Sequence, residues 1–196
     1  MAQVDRVTRF YNRIARIYPC INIGLKPYKK YLCKELKLLP EGSLLDIGTG
    51  HGALFGLSLK HDITGIDSSE EMLKIARKKY SDKNIQEMSA EALTFSDESY
   101  DYIVLAHVLS TAPMKKTISE AKRVLKPEGK LFILNHFTPK GRRGIISKWF
   151  ARFSKYLAFS SEFKLADVTA QLNINKTEVL PADRWGFYKL IVCTKA

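Results

Sequence analysis

Residues 44–52, Leu44-Leu45-Asp46-Ile47-Gly48-Thr49-Gly50-His51-Gly52, join an apolar strand-like run to a helical one and carry glycine at every second position from 48. Alternate glycines let a backbone turn tightly and come close to a ligand, and the helix that follows offers unpaired N–H groups at its start. A second carboxylate, Asp67, closes the next strand-like run 21 residues after Asp46. An acid at that place accepts hydrogen bonds from a ribose diol. Together the loop and its acid predict an adenosine-containing ligand at the carboxyl ends of a sheet.

Two ligands fit that outline. Gly48-x-Gly50-x-x-Ala53 satisfies the dinucleotide fingerprint, which implies a nicotinamide enzyme. Asp46, however, would face a pyrophosphate with like charge. A carboxylate there suits an ammonium, such as the amino-acid end of S-adenosylmethionine, and the methyl donor is the favoured reading. Methyl transfer from a sulfonium depends mostly on holding donor and nucleophile close and collinear. An amine acceptor must also lose a proton, so a nearby base or proton acceptor would help. His107 and His136 sit at strand ends facing the expected cleft and are the candidates; Tyr11 and Tyr18 either line that cleft or pack within the leader helix. His51 reads as part of the loop, and His61 as a surface residue. The three cysteines, Cys20, Cys33 and Cys193, are scattered and lack CxxC spacing, which argues against a metal site or a disulfide framework.

The elements that must position these residues alternate. Strand-like runs fall at 43–48, 62–67, 84–88, 100–106 and 130–136, with helical stretches near 24–39, 53–60, 70–80 and 115–125, and a loop at 89–99. That alternation predicts an α/β fold, a doubly wound and mostly parallel sheet. Runs at 175–180 and 186–194 are separated by five residues, too few for a crossover helix, so the seven-stranded sheet should end antiparallel.

Charge divides the chain differently. The net charge is +12, and residues 1–40 hold nine Lys/Arg against two Asp/Glu, while 137–160 hold six against none. Both segments are amphipathic. Val4, Val7, Phe10, Tyr11, Ile14, Ile17 and Tyr18 form a helical stripe with Arg6, Arg9, Arg13 and Arg16 between them; Ile145, Ile146, Trp149, Phe150, Phe153, Tyr156 and Leu157 repeat the pattern. A basic face opposite an aromatic one suits an anionic membrane surface. The plainer alternative packs both stripes on the core. Residues 1–40 are read as a lid or membrane-contact extension and 41–196 as the catalytic domain, with 137–160 as its basic insert. No apolar run reaches the length of a membrane span and the N-terminus is not a secretory signal, so the expected location is cytoplasmic, peripheral on the inner face of the membrane. No recognised RNA-binding motif accompanies the charge, and no nucleic-acid partner is expected.

Leu44–Gly52, Ile63–Leu73 and Ser89-Ala90-Glu91-Ala92-Leu93 resemble the first three motifs of class I S-adenosylmethionine-dependent methyltransferases. Phe95–Val104 resembles the fourth, and Arg123–Leu131 the segment before the fifth strand. The resemblance implies S-adenosylmethionine as donor, S-adenosylhomocysteine as product, and the Rossmann-like methyltransferase fold. It also implies donor contacts for Tyr11, Asp46, Gly48, Thr49, Gly50, Gly52, Asp67, Ser68, Met72, Ala90, Glu91, Ala92 and His107. Asp46, Gly48 and Gly50 would meet the methionine end, Asp67 the ribose, and Ser68, Met72, Ala90 and Glu91 the adenine, with His107 near the sulfonium.

Within that class the chain is most similar to bacterial soluble-type phosphatidylethanolamine N-methyltransferases. The similarity rests on Tyr11–Tyr18, Asn135-His136-Phe137 with the basic insert after it, Ser161-Glu162-Phe163 and Trp185-Gly186-Phe187-Tyr188. It implies a phospholipid acceptor, with His136, His107 and Tyr18 as catalytic candidates. Pro19 stands where related enzymes usually have an acid. Quinone C-methyltransferases share much of the N-terminal motif, including Ile21-Asn22, and imply the alternative acceptor, a quinone precursor or other small hydrophobic molecule.

Overall fold

The computed structural model describes residues 2–18, 25–137, 164–172, 176–182 and 188–195. The insert from residue 138 onward, Cys20, Ile21-Asn22, Pro19, Ser161–Phe163 and Trp185–Phe187 lie outside the described residues. Seven strands are present: β1 (Ser43–Ile47), β2 (Asp62–Asp67), β3 (Asn84–Glu87), β4 (Tyr100–Ala106), β5 (Leu125–His136), β6 (Lys176–Pro181) and β7 (Tyr188–Thr194). They form one sheet in the order β3-β2-β1-β4-β5-β7-β6. All pairings are parallel except those of β7, which runs antiparallel to both β5 and β6. The doubly wound, mostly parallel sheet with a reversed last strand is thus as expected. From β1 the chain winds outward to β2 and β3, then returns to β4 on the other side. That reversal opens a crevice at the carboxyl ends of β1 and β4, where such sheets bind ligands.

The central strands bury both faces, so successive residues belong to opposite layers. Leu45, Ile47, Ile103, Leu105, Leu131 and Ile133 face a layer that includes Ile118, Ala121 and Val124 of helix α4 (Met114–Val124) and Val168 and Leu172 of α5 (Leu165–Leu172). Leu44, Val104, Phe132, Leu134 and Leu190 face the other, covered by Leu32 and Leu36 of α2 (Lys26–Lys37), both fully buried. Helix α1 is Ala2–Ile14 and α3 is Glu70–Lys79. The start of α3 follows from its sequence: the Ser69 hydroxyl accepts from Met72 N at 3.3 Å, Glu70 and Glu71 occupy the first turn, and Arg77, Lys78 and Lys79 the last.

Three expectations change. Residues 53–60 are a turn and a single 3-10 turn, Phe55–Leu57, rather than a helix. Gly56 lowers helix propensity by about 1 kcal/mol, and Ser58 takes a left-handed conformation that ends the turn. His61 is buried rather than at the surface, its ring nitrogen Nε2 being 2.9 Å from the Leu36 carbonyl, which ties α2 to the start of β2. The fifth strand begins at Leu125 instead of Lys130. Leu125 pairs with Tyr100 and Lys130 with Tyr102, so the turn-like residues between them loop out of one long strand.

Candidate active site

A cleft lies at the carboxyl ends of β1, β2 and β4, beneath α1, with about 760 Å³ of empty space, mouth included. It brings together Tyr11, Tyr18, Gly48, Gly50, Asp67, Ser68, Met72, Ala90, Glu91 and His107. Asp46, Thr49, Gly52, Ala92 and His136 do not line it. Gly52 is buried under Phe55 and Tyr80 as part of the turn, and Ala92 is exposed.

The loop's conformation needs its glycines. Gly48 has φ +73°, and a Cβ there would lie 2.4 Å from Val108 Cγ2. Gly50 has φ +58° and faces open space, so a side chain at that position would project into the cleft. The loop is fastened to Asp67: Gly50 N donates to its Oδ2 and Ser69 N to its Oδ1, each at 2.9 Å. Burial raises the Asp67 carboxyl above the ordinary range, and hydrogen bonds from the Ser69 and Gly50 amides pull it back. Each oxygen keeps lone-pair capacity toward the cleft.

Helix α1 forms the roof. Its Thr8 hydroxyl is 3.1 Å from that of Ser68, and Asn12 Oδ1 accepts from Ser69 Oγ at 2.6 Å. Val7, Tyr11 and Tyr18 turn inward, while Arg6, Arg9, Arg13 and Arg16 are exposed. Tyr11 packs edge-on against Tyr18, and Tyr18 against the ring of His51, at 5.6 and 5.9 Å between centroids. Burial, then Tyr18 and Asp67, hold the Tyr11 hydroxyl firmly protonated. The N-terminal stripe therefore divides: Val7, Tyr11 and Tyr18 wall the cleft, while Ile17 and the arginines meet solvent.

Opposite the roof stands His107, directly after β4. Its φ of +65° is a conformation that non-glycine residues rarely adopt, and its amide donates to Leu134 O at 2.7 Å. Its Nε2 is buried and finds no hydrogen-bond partner among the described residues. Burial, with the charges of Lys29 and His136, lowers the imidazolium pKa to about 3, so the ring is neutral. Behind it lies an aromatic corner that sequence reading missed. Tyr28 of α2 stacks on Tyr188 of β7 at 3.8 Å, and Tyr188 meets the His107 and His136 rings edge-on at 5.7 and 6.3 Å.

Asp46 is fully enclosed beside the cleft. Burial raises its pKa to about 6, with Thr49 and Lys29 opposing the rise. Lys29 went unremarked in the sequence. The signal was there: Lys29 shares the i, i+3, i+7 stripe of Leu32 and Leu36, while Lys30, Lys34 and Lys37 of the same helix are exposed. The loop carrying Ala90 and Glu91 is held from below, where Arg123 donates to Leu93 O, Phe95 O, Asp97 and Glu120. Among the described residues no helix is long and apolar enough to cross a membrane, and no group of His, Cys, Asp and Glu is arranged to hold a metal ion.

A methyltransferase-domain family profile matches residues 45–133. The chain is 33% identical over 159 residues to a phosphatidylethanolamine N-methyltransferase of Cereibacter sphaeroides, covering 76% of this chain and 78% of that one. It is 29% identical over 154 residues to a ubiquinone/menaquinone biosynthesis C-methyltransferase of Geotalea daltonii, covering 69% of this chain and 65%, just under two thirds, of that one. In fold it is similar to a solved S-adenosylmethionine-dependent methyltransferase of Thermotoga maritima, a possible histamine N-methyltransferase, with a TM-score of 0.75 at 22% identity over 96% of this chain and 99% of that one. One residue in three shared along three quarters of both chains goes beyond likeness of fold, and this chain belongs to the class I S-adenosylmethionine-dependent methyltransferases, with S-adenosylmethionine as methyl donor and S-adenosylhomocysteine as product.

Proposed function

We propose that this enzyme methylates the primary amine of a phosphatidylethanolamine-type headgroup at a membrane surface. The residues around the cleft fit the donor. The open space at Gly50 admits its tail, Asp67 offers lone pairs to the ribose diol, and Ile66, Met72, Met88 and Ala90 form an apolar slot for adenine, edged by Ser68 and Glu91. Asp46 would face the tail's ammonium. Bound there, S-adenosylmethionine supplies a methyl group already activated on sulfur.

The observation that carries the acceptor reading is His107: a half-buried, strained, neutral ring on the cleft wall whose enclosed Nε2 has no hydrogen-bond partner among the described residues. A neutral imidazole nitrogen accepts a hydrogen bond from an uncharged amine and orients its lone pair without protonating it. The nearby Lys29 charge and the low local polarity favour the uncharged amine over the ammonium. The relative from Cereibacter sphaeroides supports the same acceptor. His136 does not line the cleft and meets Tyr188 edge-on, which favours a supporting role over one on the methyl path.

Residues 1–40 would serve as lid and membrane contact, with Arg6, Arg9, Arg13 and Arg16 toward anionic headgroups, each contributing about 1 kcal/mol near the surface. The test is incubation of the purified chain with labelled donor and vesicles containing either phosphatidylethanolamine or a demethylated menaquinone, followed by chromatography. Label in mono-methylated phosphatidylethanolamine supports the proposal. Label only in the quinone overturns it. Flotation with vesicles of rising anionic content examines docking, and binding that ignores both anionic lipid and salt would remove the membrane-contact role.

A further inference from the structure

We propose that Lys29 is the counter-ion of the donor's α-carboxylate, set beside Asp46 so that the two side chains together recognise the intact zwitterionic tail. The inference rests on the donor reading of Asp46 and needs no assumption about the acceptor.

Placement comes first. Along β1, Leu44 belongs to the layer covered by Leu32 and Leu36, whereas Leu45 and Ile47 belong to the opposite one. Alternation therefore turns Asp46 toward α2, the helix whose buried stripe carries Lys29. Tyr28, next to Lys29, is fixed by its stack on Tyr188, which anchors the first turn of α2 over the ends of β5 and β7. The Lys29 ammonium acts electrostatically on Asp46 of β1, on His51 of the glycine loop and on His107 after β4. It thus stands where three elements converge around the loop. Other charged or titratable groups act more weakly: Asp67 on Asp46, Lys79 on His51 and His136 on His107.

A half-buried lysine beside a buried aspartate is costly unless their charges are matched closely. Here Asp46 and Lys29 attract each other with no ion pair closed between them among the described residues. An α-amino acid tail carries an ammonium and a carboxylate on one carbon, the complement of that pair. Insertion of the tail would give each charge a partner. The glycine loop supplies shape and amides but no positive side chain of its own, and His51, whose pKa is lowered to about 4 by burial and by Lys29 and Lys79, is neutral. Lys29 is then the residue that distinguishes S-adenosylmethionine from a decarboxylated analogue.

Titration calorimetry on the full chain tests this with S-adenosylhomocysteine, its decarboxylated analogue and methylthioadenosine, which lacks the tail. Lys29→Met should weaken S-adenosylhomocysteine about 30- to 100-fold and change the other two less than threefold. Lys29→Arg should recover much of the loss. Because methionine suits the apolar stripe, thermal unfolding of Lys29→Met should show a fold at least as stable as the parent's. Asp46→Asn should weaken both tail-bearing ligands and spare methylthioadenosine; if it does not, the reading of Asp46 fails separately. Lys29→Met binding S-adenosylhomocysteine within threefold of the parent, or weakening all three ligands alike, overturns the proposal.

Discussion

The glycine-loop side of the cleft and the β5–β7 side are built by opposite means. On the first, ligand-facing groups are fixed by backbone geometry: three positive-φ glycines, two amides on the Asp67 carboxylate, and a capped α3. On the second, side chains from distant parts of the chain are stacked into place: Tyr28, Tyr188, His107 and His136. Backbone geometry suits a donor common to a whole class of enzymes. Side-chain stacking can be rewritten residue by residue, which is what acceptor choice requires. The difference predicts that damage on the first side lowers donor affinity, and damage on the second lowers turnover with donor affinity kept.

The largest effect should come from Gly48→Val. The new side chain would collide with Val108 and impose a β-branched residue on a left-handed φ. Strain and overpacking together reach about 4 kcal/mol; the loop escapes that cost by leaving its present conformation, and restoring it on binding would lower affinity for S-adenosylhomocysteine by up to roughly a thousandfold. Calorimetry reads it directly, and a variant binding within tenfold of the parent would mean that the loop is not the donor's seat. On the other side, His107→Gly should lower kcat about a hundredfold while changing S-adenosylhomocysteine affinity less than threefold. Glycine also relieves the φ of +65°, so stability should fall little despite the lost ring. A comparable loss in donor affinity would erase the distinction between the two sides.

This contrast also explains what could be read from the residues alone. The glycine loop, Asp67, Ser68 and Met72 lie within 25 consecutive positions, and one strand–turn–helix pattern carries them all. The sheet was equally readable, because β strands and helices alternate with clear punctuation; even the reversed β7 followed from a connection too short for a crossover. The aromatic corner was not readable, since Tyr28 and Tyr188 are 160 residues apart and meet only because β7 inserts beside β5. His61 escaped for a related reason: its partner is the Leu36 carbonyl in the last turn of α2, a contact that no local pattern announces. Lys29 was visible as a charge on an apolar stripe, but its meaning needed Asp46 on the facing strand.

Asp46 gives the comparison a pH axis. Its pKa in the folded protein is about 6, above the ordinary value of 3.8. A raised carboxyl pKa means stability that is fully present below the unfolded value and lost as pH rises from there through about 6. At about 1.4 kcal/mol per unit, the ligand-free enzyme at pH 7.5 should forgo about 2–3 kcal/mol. Asp46→Asn should therefore raise its midpoint of thermal unfolding by about 4–8 °C, while weakening donor binding. Binding itself carries the opposite sign. With Asp46 facing the tail's ammonium as proposed, binding would need the ionised carboxylate, and affinity for S-adenosylhomocysteine should fall by up to about tenfold per unit below pH 6. Calorimetry in buffers of different ionisation enthalpy at pH 6 would detect the accompanying proton release. No release, with a flat affinity down to pH 5, would detach Asp46 from the donor.

The smallest effect concerns α1, the element that belongs to both sides. Asn12 and Thr8 bind it to Ser69 and Ser68, the residues that follow Asp67, so the roof is fastened to the donor side while its exposed arginines face away from the cleft. The Asn12–Ser69 bond is one side-chain contact worth about 1 kcal/mol. Asn12→Ala should therefore speed release of S-adenosylhomocysteine three- to fivefold in stopped-flow measurements, with Ser69 still capping α3 through Met72 N and the unfolding midpoint nearly unchanged. If the roof is only packing, the release rate will stay at the parent's value and stability alone will drop. If it is a latch, the rate moves and stability does not, and vesicles of anionic lipid should change the parent's release rate more than the variant's.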